Sequence, residues 1–555
     1  MIGVIARNHE LELVHEFFEL FKTPWESWSP EHCYDVVLCT TEECIQDLRA
    51  KLILIYSGGH CASDPADVIE EKKTNRTTRL RHHNDVIPIY GRCLTFPPDN
   101  SNLLMTEASG RPVTLRQTGN QEEEILRIGY DLFEEVRFLL TTGQPRDEAG
   151  FPTLDLHIDF LRNQMHASGI EFIEIPPVPQ GYQFMVCLTH DVDHPAIRRH
   201  RSDHTAAGFL YRASIGSILG LMRGQLSFQS LVENCIAVAK WPLVQLGLAR
   251  DFWADFANQY RQIEGGLPST YFVIPFAGES GRGLAGASYK RRASAYGARD
   301  IEPVIREIQN SGSEVALHGL DAWLDSDSAV LEIDEIRKLT GKSEIGVRMH
   351  WLCFNVNSPR ELEQAGATFD STIGYRETVG YRTGTTQPYM PLGAQSIIEL
   401  PLHAMDTALF YPAYLGLRPQ RANDLLANLV RNATRFGGCL TVNWHDRSLA
   451  PERQWFASYR QFLDEAASHK VWFTTCSEAA AWFRKRRSVT FKHNRTDVRA
   501  DCAEVNGKHN RLPDLALRIH TPLEHPTVAA RNERHVEHVP LKAELKTELI
   551  SYQSA

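Results

Sequence analysis

The fold is decided by the stretch Gln183-Phe-Met-Val-Cys-Leu-Thr-His-Asp-Val-Asp-His194. Its first half is an unbroken apolar run with β-branched and aromatic members, which is typical of a strand buried in a parallel sheet. The run ends in polar residues, with Asp191 and Asp193 two positions apart. Residues two apart on an extended chain face the same way, so both carboxylates can reach one point. Because close carboxylates repel each other, the pair predicts a cation between them or a role as a base. A plain polar strand end that caps the next helix is the alternative.

The composition narrows the class of protein. The chain has 555 residues, enough for about two or three domains with ample core. Apolar and charged fractions of 43% and 23% are typical of a globular protein, and a net charge of -10 argues against nucleic-acid binding. Eleven cysteines without a C-x-x-C pair indicate reduced thiols. Since neither a signal-peptide pattern nor a long apolar stretch is found, we expect a cytoplasmic location and no membrane span.

Residues 1–180 are predicted to form a separate N-terminal α/β accessory domain. The apolar spacing of Glu122–Leu140 predicts an amphipathic helix within it. The proline-rich segment Pro176–Gly181 is the best linker signal in the chain, because proline excludes helix and has no donor for a sheet. No catalytic motif is found in this region. Its short strands are predicted at Ile2–Ile5, Asp35–Leu38, Leu52–Tyr56 and Val86–Ile89.

Residues 181–485 alternate apolar strands with amphipathic helices, with a long helical insertion at about Ala206–Ile263. After the first strand, further strands are predicted at Ser269–Pro275, Glu314–His318, Ile345–His350, Ala367–Phe369, Ile397–Leu400, Cys439–Val442 and Val471–Thr474. Eight strands with helices between them predict an α/β fold of the (β/α) barrel type. Residues 486–555 are predicted to be a C-terminal extension that includes, at most, a small β-rich unit near Asp514–His520.

Polar residues recur at the carboxyl ends of these strands, where the loops of a barrel build an active site. Taken singly, each histidine is best explained as a satisfied or exposed polar residue. Random placement of histidines would not put them at strand ends repeatedly, so the set as a whole favours a functional site. Its members are Asp191, Asp193, His318, Arg348, His350 and His445.

The residue types predict hydrolytic chemistry. Asp193 with His318 and one more imidazole would give a nitrogen and oxygen donor set suited to zinc or a similar divalent ion. Asp191 would be the base, and Arg348 would keep that carboxylate ionised and oriented. His445 would protonate a leaving amine, and a neighbouring carboxylate such as the one that follows it, at position 446, would raise its pKa.

Four motifs lie at these strand ends, namely Thr189-His-Asp-Val-Asp193, Glu314-Val-Ala-Leu-His-Gly319, Gly346-Val-Arg-Met-His-Trp351 and Asn443-Trp-His445. They resemble motifs of the polysaccharide deacetylase (NodB-homology) superfamily, carbohydrate esterase family 4. The resemblance runs from Gln183 to Arg484 and implies a distorted (β/α) barrel with a divalent metal, Asp191 as base, Asp193 as metal ligand and Arg348 as the tether of the base.

One departure from that family concerns the metal. Its usual second motif is H-x-x-x-H, whereas four residues after His318 this chain has Ala322. The third ligand is therefore open. His350 is our first choice because it ends an adjacent predicted strand; Asp321 is the second choice and His194 the third.

The sequence therefore predicts a metal-dependent hydrolase of carbon–nitrogen bonds other than peptide bonds. The reaction most in keeping with the resemblance is removal of acetyl from an N-acetylated carbohydrate, and a cytoplasmic chain would favour a soluble, lipid-linked or nucleotide-linked sugar over a mature wall polymer. Two alternatives remain. One is a cyclic amide hydrolase, and the other is a carbohydrate-binding pseudoenzyme, which the missing second-motif histidine would explain.

Overall fold

The computed structural model describes residues 1–41, 48–61, 64, 69–70, 77–97, 104–119, 123–222, 226–282, 293–494, 497–502, 512–522 and 535–541. The chain divides into two compact units. The first unit comprises Met1–Gly181, Tyr381–Leu392 and Ala481–Ala555, and the second comprises Tyr182–Gly380 and Gly393–Ala480. The predicted boundary after residue 180 lies one residue from this division.

The strands of the first unit are β1 (Ile2–Ile5), β2 (Trp25–Ser27), β3 (Val36–Cys39), β4 (Leu52–Tyr56), β5 (Ile69–Glu70), β6 (Thr78–His82), β7 (Asp85–Ile89), β8 (Leu94–Thr95), β9 (Thr114–Thr118), β10 (Glu124–Ile128) and β11 (Phe172–Glu174). Those of the second unit are β12 (Phe184–Val192), β13 (Thr270–Val273), β14 (Glu314–Gly319), β15 (Ile345–Met349), β16 (Ala367–Asp370), β17 (Ile398–Glu399), β18 (Leu402–Met405), β19 (Cys439–Asn443) and β20 (Val471–Thr474). The first unit resumes with β21 (Val489–Asn494), β22 (Asp497–Cys502), β23 (Leu515–Thr521) and β24 (His535–Leu541).

The α-helices follow in chain order. They are α1 (Leu11–Phe21), α2 (Leu132–Thr141), α3 (Thr153–Ala167), α4 (His204–Tyr211), α5 (Ser217–Met222), α6 (Phe228–Gln245), α7 (Phe256–Ile263), α8 (Glu302–Asn310), α9 (Ser326–Thr340), α10 (Ser358–Gln364), α11 (Asp406–Phe410), α12 (Pro419–Phe436), α13 (Phe456–Ala467) and α14 (Cys476–Arg487). Within the described part of the chain, none of them is both long and apolar enough to span a membrane.

The first unit is built on a mostly parallel sheet with the strand order β2-β1-β3-β4-β10-β9. Every residue of β3 and β4 is buried, which explains why these strands are short apolar runs without alternation. β9 alone runs antiparallel to its neighbour, β10.

The predicted helix Glu122–Leu140 is wrong in its first half. Glu124–Ile128 is β10, paired in parallel with β4, and the helix α2 begins only at Leu132. Asp131 accepts hydrogen bonds from the backbone amides of Phe133 and Glu134 and so fixes the start of the helix. Apolar residues at 125, 126 and 128 fit both periods, and pairing with β4 decides for the strand.

The prediction of a separate C-terminal extension also needs correction. β23 pairs antiparallel with β11, with Phe172 opposite His520, so this part of the chain completes a sheet of the first unit. The predicted β character is present, because β23 also pairs with β24, and β21 with β22. An unpaired strand edge leaves backbone groups without hydrogen-bond partners. The edge of the strand around residues 514–520 is paired with a strand more than 340 residues earlier in the chain.

A buried carboxylate stabilises the pairing of β11 with β23. Glu174 on β11 is fully buried and accepts from Arg162 at 3.0 Å, from Arg518 at 2.6 Å and from His520 at 3.1 Å. Burial alone would raise the pKa of the Glu174 carboxyl, but the charges of Arg162 and Arg518 hold it well below its usual range. The carboxylate therefore stays ionised in the interior of the unit.

The second unit is a parallel sheet with the order β17-β16-β15-β14-β13-β12-β19-β18. Its two ends are joined by the chain itself, since β17 and β18 are separated only by Leu400 and Pro401. β17 pairs with β16, and β18 pairs with β19, so the polypeptide passes from one end of the sheet to the other. The sheet consequently curls into a distorted (β/α) barrel, in agreement with the predicted fold class.

β12 is an interior strand of this barrel sheet, with neighbours along both of its edges. All nine of its residues are buried. β19 occupies one of its edges, while β20 and β13 share the other edge along its first and second halves. The eighth predicted strand, β20, is therefore present, but it pairs with β12 alongside β13 and does not appear in the strand order of the barrel. Between β12 and β13 lies the helical insertion α4–α7, as the sequence predicted.

We expect Glu174→Gln to weaken the attachment of β23 to β11. Removing one partner of a buried ion pair costs up to about 3 to 5 kcal/mol. We expect a value at or below the lower end of this range, because Arg162 keeps Asp159 as a partner at 3.2 Å and the Arg518 side chain is 23% exposed. Hydrogen exchange of peptides that contain β11 and β23 measures this loss of local stability.

The matched control is Glu171→Gln, because Glu171 is exposed and immediately precedes the same strand. This change should alter the exchange free energy by no more than about 0.5 kcal/mol. Equal protection of the two variants would contradict the role given to Glu174.

Candidate active site

The end of β12 places its carboxylates as the alternation of a strand requires. Asp191 and Asp193 point to the side of the sheet where Arg348 and His318 lie. His190, one residue out of phase, turns away and bonds Glu264 through Nε2 at 2.8 Å. The predicted common face of the two aspartates is therefore present.

A single guanidinium holds the first of them. Arg348 is fully buried on β15, and its Nη1 donates to Asp191 Oδ1 at 2.9 Å and to Thr189 Oγ1 at 2.7 Å. The other edge of the guanidinium is fixed by Ser371, whose hydroxyl accepts from Nη2 at 2.9 Å. The second oxygen of Asp191 accepts from Asn443 Nδ2 at 2.8 Å. Both carboxylate oxygens are thus oriented.

This arrangement keeps Asp191 charged. Burial by itself would raise the pKa of the Asp191 carboxyl, but the nearby His318 imidazole and the charge of Arg348 lower that pKa below its ordinary value. The group is therefore an ionised carboxylate at neutral pH, which a base requires.

Three strand ends meet at the second aspartate. Asp193 follows β12, His318 lies on β14 and His350 follows β15, and one ligand atom from each lies within 4.8 Å of those from the other two. His318 Nε2 is 3.5 Å and His350 Nε2 is 3.8 Å from Asp193 Oδ1. The structure thus brings together the three residues that the sequence suggested as metal ligands.

The protonation of His318 bears on whether a metal fits there. Its Nδ1 lies 3.0 Å from the carbonyl oxygen of Arg348, so Nδ1 is the donor to that oxygen, and in the neutral imidazole Nε2 presents a lone pair. That lone pair faces Asp193 Oδ1, which is buried without a hydrogen-bond partner among the described residues. Two acceptors facing each other are favourable only with a cation or a proton between them. The donor set of two imidazoles and a carboxylate fits a divalent ion such as zinc.

The alternative third ligands lie elsewhere. Asp321 binds Arg282, accepting from its backbone amide through Oδ1 and from its Nε at 3.4 Å through Oδ2. His194 donates its backbone amide to Asp446 Oδ2 at 2.6 Å, and its ring packs against that of His200. In the part of the chain that the structure describes, the cluster around Asp193 contains neither of them.

His445 stands on the other side of Asp193. It follows β19, and its Nε2 is 3.8 Å from Asp193 Oδ2. Its Nδ1 donates to Asp406 Oδ1 at 2.6 Å, and its backbone amide donates to Asp406 Oδ2 at 2.7 Å. Burial would lower the pKa of His445, but the adjacent Asp406 carboxylate raises it to about 10. The imidazole is therefore held in one orientation and protonated.

The carboxylate beside His445 is Asp406, and the expectation that it is Asp446 is wrong. Asp446 is engaged with the backbone amide of His194, and burial raises its own pKa to about 7. Ser448 also donates its hydroxyl to Asp406, which fixes that carboxylate further.

Sequence reasoning missed both Asp406 and the role of Asn443. A signal was available for Asn443, which follows the predicted strand Cys439–Val442 and ends β19, whereas Asp406 follows β18, a strand that the sequence does not predict. The predicted strand Ile397–Leu400 ends before Pro401, and in the structure a second strand, β18, follows that proline.

A cavity of about 200 Å³ opens beside these groups. Asp193 and His445 form part of its wall, so a ligand in the cavity would reach both the candidate metal group and the protonated imidazole. Arg212, Arg447 and Arg453 also line it.

Comparisons with known proteins add the following. No protein-family model and no curated protein matches the chain. Among solved structures, a Mycobacterium smegmatis protein assigned as a polysaccharide deacetylase is 22% identical, with a TM-score of 0.36, over 58% of this chain and 97% of that one. The carbohydrate deacetylase Agd3 is 8% identical, with a TM-score of 0.36, over 95% of this chain and 94% of that one.

A family 4 carbohydrate esterase from Streptomyces lividans, in complex with acetate, is 12% identical, with a TM-score of 0.23, over 54% of this chain and 94% of that one. At such TM-scores these likenesses decide neither the fold nor the activity of this chain.

We expect His350→Ala to weaken zinc binding more than about 100-fold, because even the loss of a group that only supports a ligand typically costs about 10- to 100-fold. Isothermal titration of the metal-free protein with zinc measures the affinity. Asp321→Ala is the control and should change the affinity only a few-fold. Loss of affinity in the control instead of in His350→Ala would reassign the third ligand.

Proposed function

We propose that the chain is a metal-dependent hydrolase that removes acetyl from an N-acetylated carbohydrate. The observation that carries the proposal is a pair of groups near Asp193 whose pKa values are shifted in opposite directions. The buried Asp191 carboxylate is bound by Arg348 and Asn443 and its pKa is lowered, whereas the His445 imidazole is bound by Asp406 and its pKa is raised to about 10. Two titratable groups whose pKa values are pushed apart in one site are suited to act as base and acid.

Asp191 is the base. Its Oδ2, 3.8 Å from His318 Nε2, faces the candidate metal group, and its ionised state lets it take a proton from the attacking water. Arg348 and Asn443 hold the carboxylate in place, so that it keeps its direction when its charge is neutralised.

His445 is the acid. Nδ1 is committed to Asp406, so the proton available for transfer is the one on Nε2, on the side of Asp193. When the bond between the acetyl carbon and nitrogen breaks, this proton goes to the nitrogen of the departing sugar amine. Asp406 acts through His445 and is a positioning residue.

Asp193, His318 and His350 would hold the metal. A divalent ion bound there supplies a Lewis acid that polarises the acetamide carbonyl and makes a nearby water more acidic. We take zinc as the most suitable ion, because the set contains two imidazole nitrogens and one carboxylate oxygen.

The substrate class rests on sequence. The motifs around Asp191, His318, Arg348 and His445 resemble those of the polysaccharide deacetylase superfamily, and this favours an N-acetylated sugar over a cyclic amide. The completed donor group and the oriented Asp406–His445 pair favour an active enzyme over a pseudoenzyme.

We expect Asp191→Asn and Asp193→Ala to fail in different ways. Asp191→Asn removes the base and should lower turnover of an acetamido sugar by about 100- to 10,000-fold while bound zinc is unchanged. Asp193→Ala should lose the zinc itself. Acetate release and elemental analysis of the same preparations test both statements, and identical behaviour of the two variants would refute the division of roles.

The acid is tested with two acetyl compounds. His445→Ala and Asp406→Asn should each lower turnover of the acetamido sugar by about 100-fold or more, because the amine leaves poorly without a proton. Hydrolysis of 4-nitrophenyl acetate should change much less, because nitrophenolate leaves without protonation. A purely structural defect would lower both activities equally and would contradict the assignment.

A further inference from the structure

The cavity beside the active site has an unusually cationic wall. It is lined by Arg212, Arg447 and Arg453 together with Asp193 and His445, and its volume of about 200 Å³ greatly exceeds the about 10–15 Å³ that one water needs. All of these residues belong to the second unit, so the cavity lies within one compact body.

Arg447 is built into the wall. It is 4% exposed, its guanidinium lies over the ring of Trp253 at 4.1 Å, and its Nη2 donates to Glu452 at 3.1 Å. Its Nε has no hydrogen-bond partner among the described residues. A buried donor left without an acceptor is costly, and a ligand in the cavity would supply one.

Arg453 is positioned by aromatic rings. Its Nη2 donates to the hydroxyl of Tyr411 at 3.1 Å, and its guanidinium lies 4.8 Å from the ring of Trp455. These contacts fix the direction of the group and leave its charge unneutralised.

Arg212 begins a short π-helical turn, Arg212–Gly216, between α4 and α5. Such turns are frequent at functional sites. Its guanidinium makes no hydrogen bond or ion pair with the residues that the structure describes, and its Nε is buried.

The charges around these arginines do not balance. Within the described chain, the pair of Arg447 with Glu452 is the one ion pair that they form. Even with Asp446 counted as a full negative charge, three guanidinium groups face two carboxylates. Asp406 is committed to His445, and Asp193 to the candidate metal group. Burial and mutual repulsion lower the pKa of Arg212 and lower that of Arg447 to about 10, whereas the pKa of Arg453 is raised, against the effect of burial, by Tyr411 and the nearby carboxylates.

We propose that this cavity binds a phosphate group of the substrate, so that the acetylated sugar enters the active site as a sugar phosphate. The proposal rests on the hydrolase function only in taking the cavity as part of the substrate site. Guanidinium groups match phosphate oxygens in geometry, and their hydrogen bonds to anions are the strong ones. A phosphate monoester carries about -1.5 to -2 charges at neutral pH and therefore offsets the surplus more fully than a carboxylate does.

The test measures binding without turnover. The full chain is stripped of metal with EDTA and titrated with N-acetylglucosamine 1-phosphate and, separately, with N-acetylglucosamine. We expect the phosphorylated sugar to bind at least about 10-fold more tightly, and Arg212→Gln and Arg453→Gln each to remove about 10-fold or more of that affinity. Neither side chain forms an ion pair with a described carboxylate, so both variants should fold even where Arg447→Gln does not.

Arg250→Gln is the control, because Arg250 is 81% exposed in the same helical insertion. It should leave the affinity unchanged. Equal binding of the two sugars, or equal loss of affinity in Arg250→Gln and Arg212→Gln, would overturn the proposal.

A second titration separates the sources of the phosphate. N-acetylglucosamine carried on a polyprenyl phosphate in detergent micelles is compared with the soluble sugar phosphate, and the tighter, arginine-dependent ligand identifies the source. Because binding is measured without metal, it can succeed when no acetate is released, which would refute the hydrolase alone. Hydrolysis of an unphosphorylated acetamido sugar without arginine-dependent binding would refute the phosphate site alone.

Discussion

The contact between Arg348 and Asp191 is the constraint on which the second unit depends. Both groups lie inside the barrel, where each charge would be unstable alone, and removing either one would leave the other buried without a counter-ion. Arg348 is stabilised inside the barrel because it forms hydrogen bonds with several neighbouring residues at once. It contacts Thr189 and Asp191 on β12 and Ser371 beyond β16, and Ser371 in turn donates to the carbonyl of Leu400. One guanidinium thus connects β12, its own strand β15 and the residue that follows β16.

The rest of the site follows from the direction that this contact gives to β12. With Asp191 committed to Arg348, Asp193 is left two residues further along the same face, where it meets the imidazoles of His318 and His350. Arg348 also contributes its carbonyl oxygen, which accepts a hydrogen bond from His318 Nδ1 and so directs Nε2 toward Asp193. The base Asp191 and the metal-donor group around Asp193 are therefore connected, through Arg348, by the same hydrogen-bonded network that links the strands of the barrel.

Local sequence patterns were sufficient for most of this arrangement. A run of buried residues that stops in Asp or His marks both a strand and its functional end, so the positions of Asp191, His318 and His445 could be predicted without any knowledge of pairing. The barrel itself followed from the alternation of strands and helices. Glycine at position 346 is an example of what could not be anticipated, because a Cβ there would lie 2.0 Å from the ring of Phe369 on the neighbouring strand.

What escaped prediction depends on partners far away in the chain. β17 and β18, on either side of Pro401, pair with different strands, so the sequence around Pro401 does not place Asp406 beside His445. The segment of β10 is predicted as helix because its apolar positions fit both periods, and only its pairing with β4 decides for the strand. Likewise, nothing near residue 520 indicates that its partner is Glu174.

The separation of the partners of Asp191 has a consequence for how the second unit folds. Arg348 is 157 residues and Asn443 is 252 residues away from it in sequence, with the helical insertion α4–α7 inside both intervals. Closing such long loops is entropically unfavourable until many other contacts have formed, and chains with distant pairings fold slowly. The neighbouring pairs β13–β14 and β14–β15 are separated by much shorter stretches. We therefore expect these strands to associate first and β19 to dock late, so that the active site is completed in the last stage of folding.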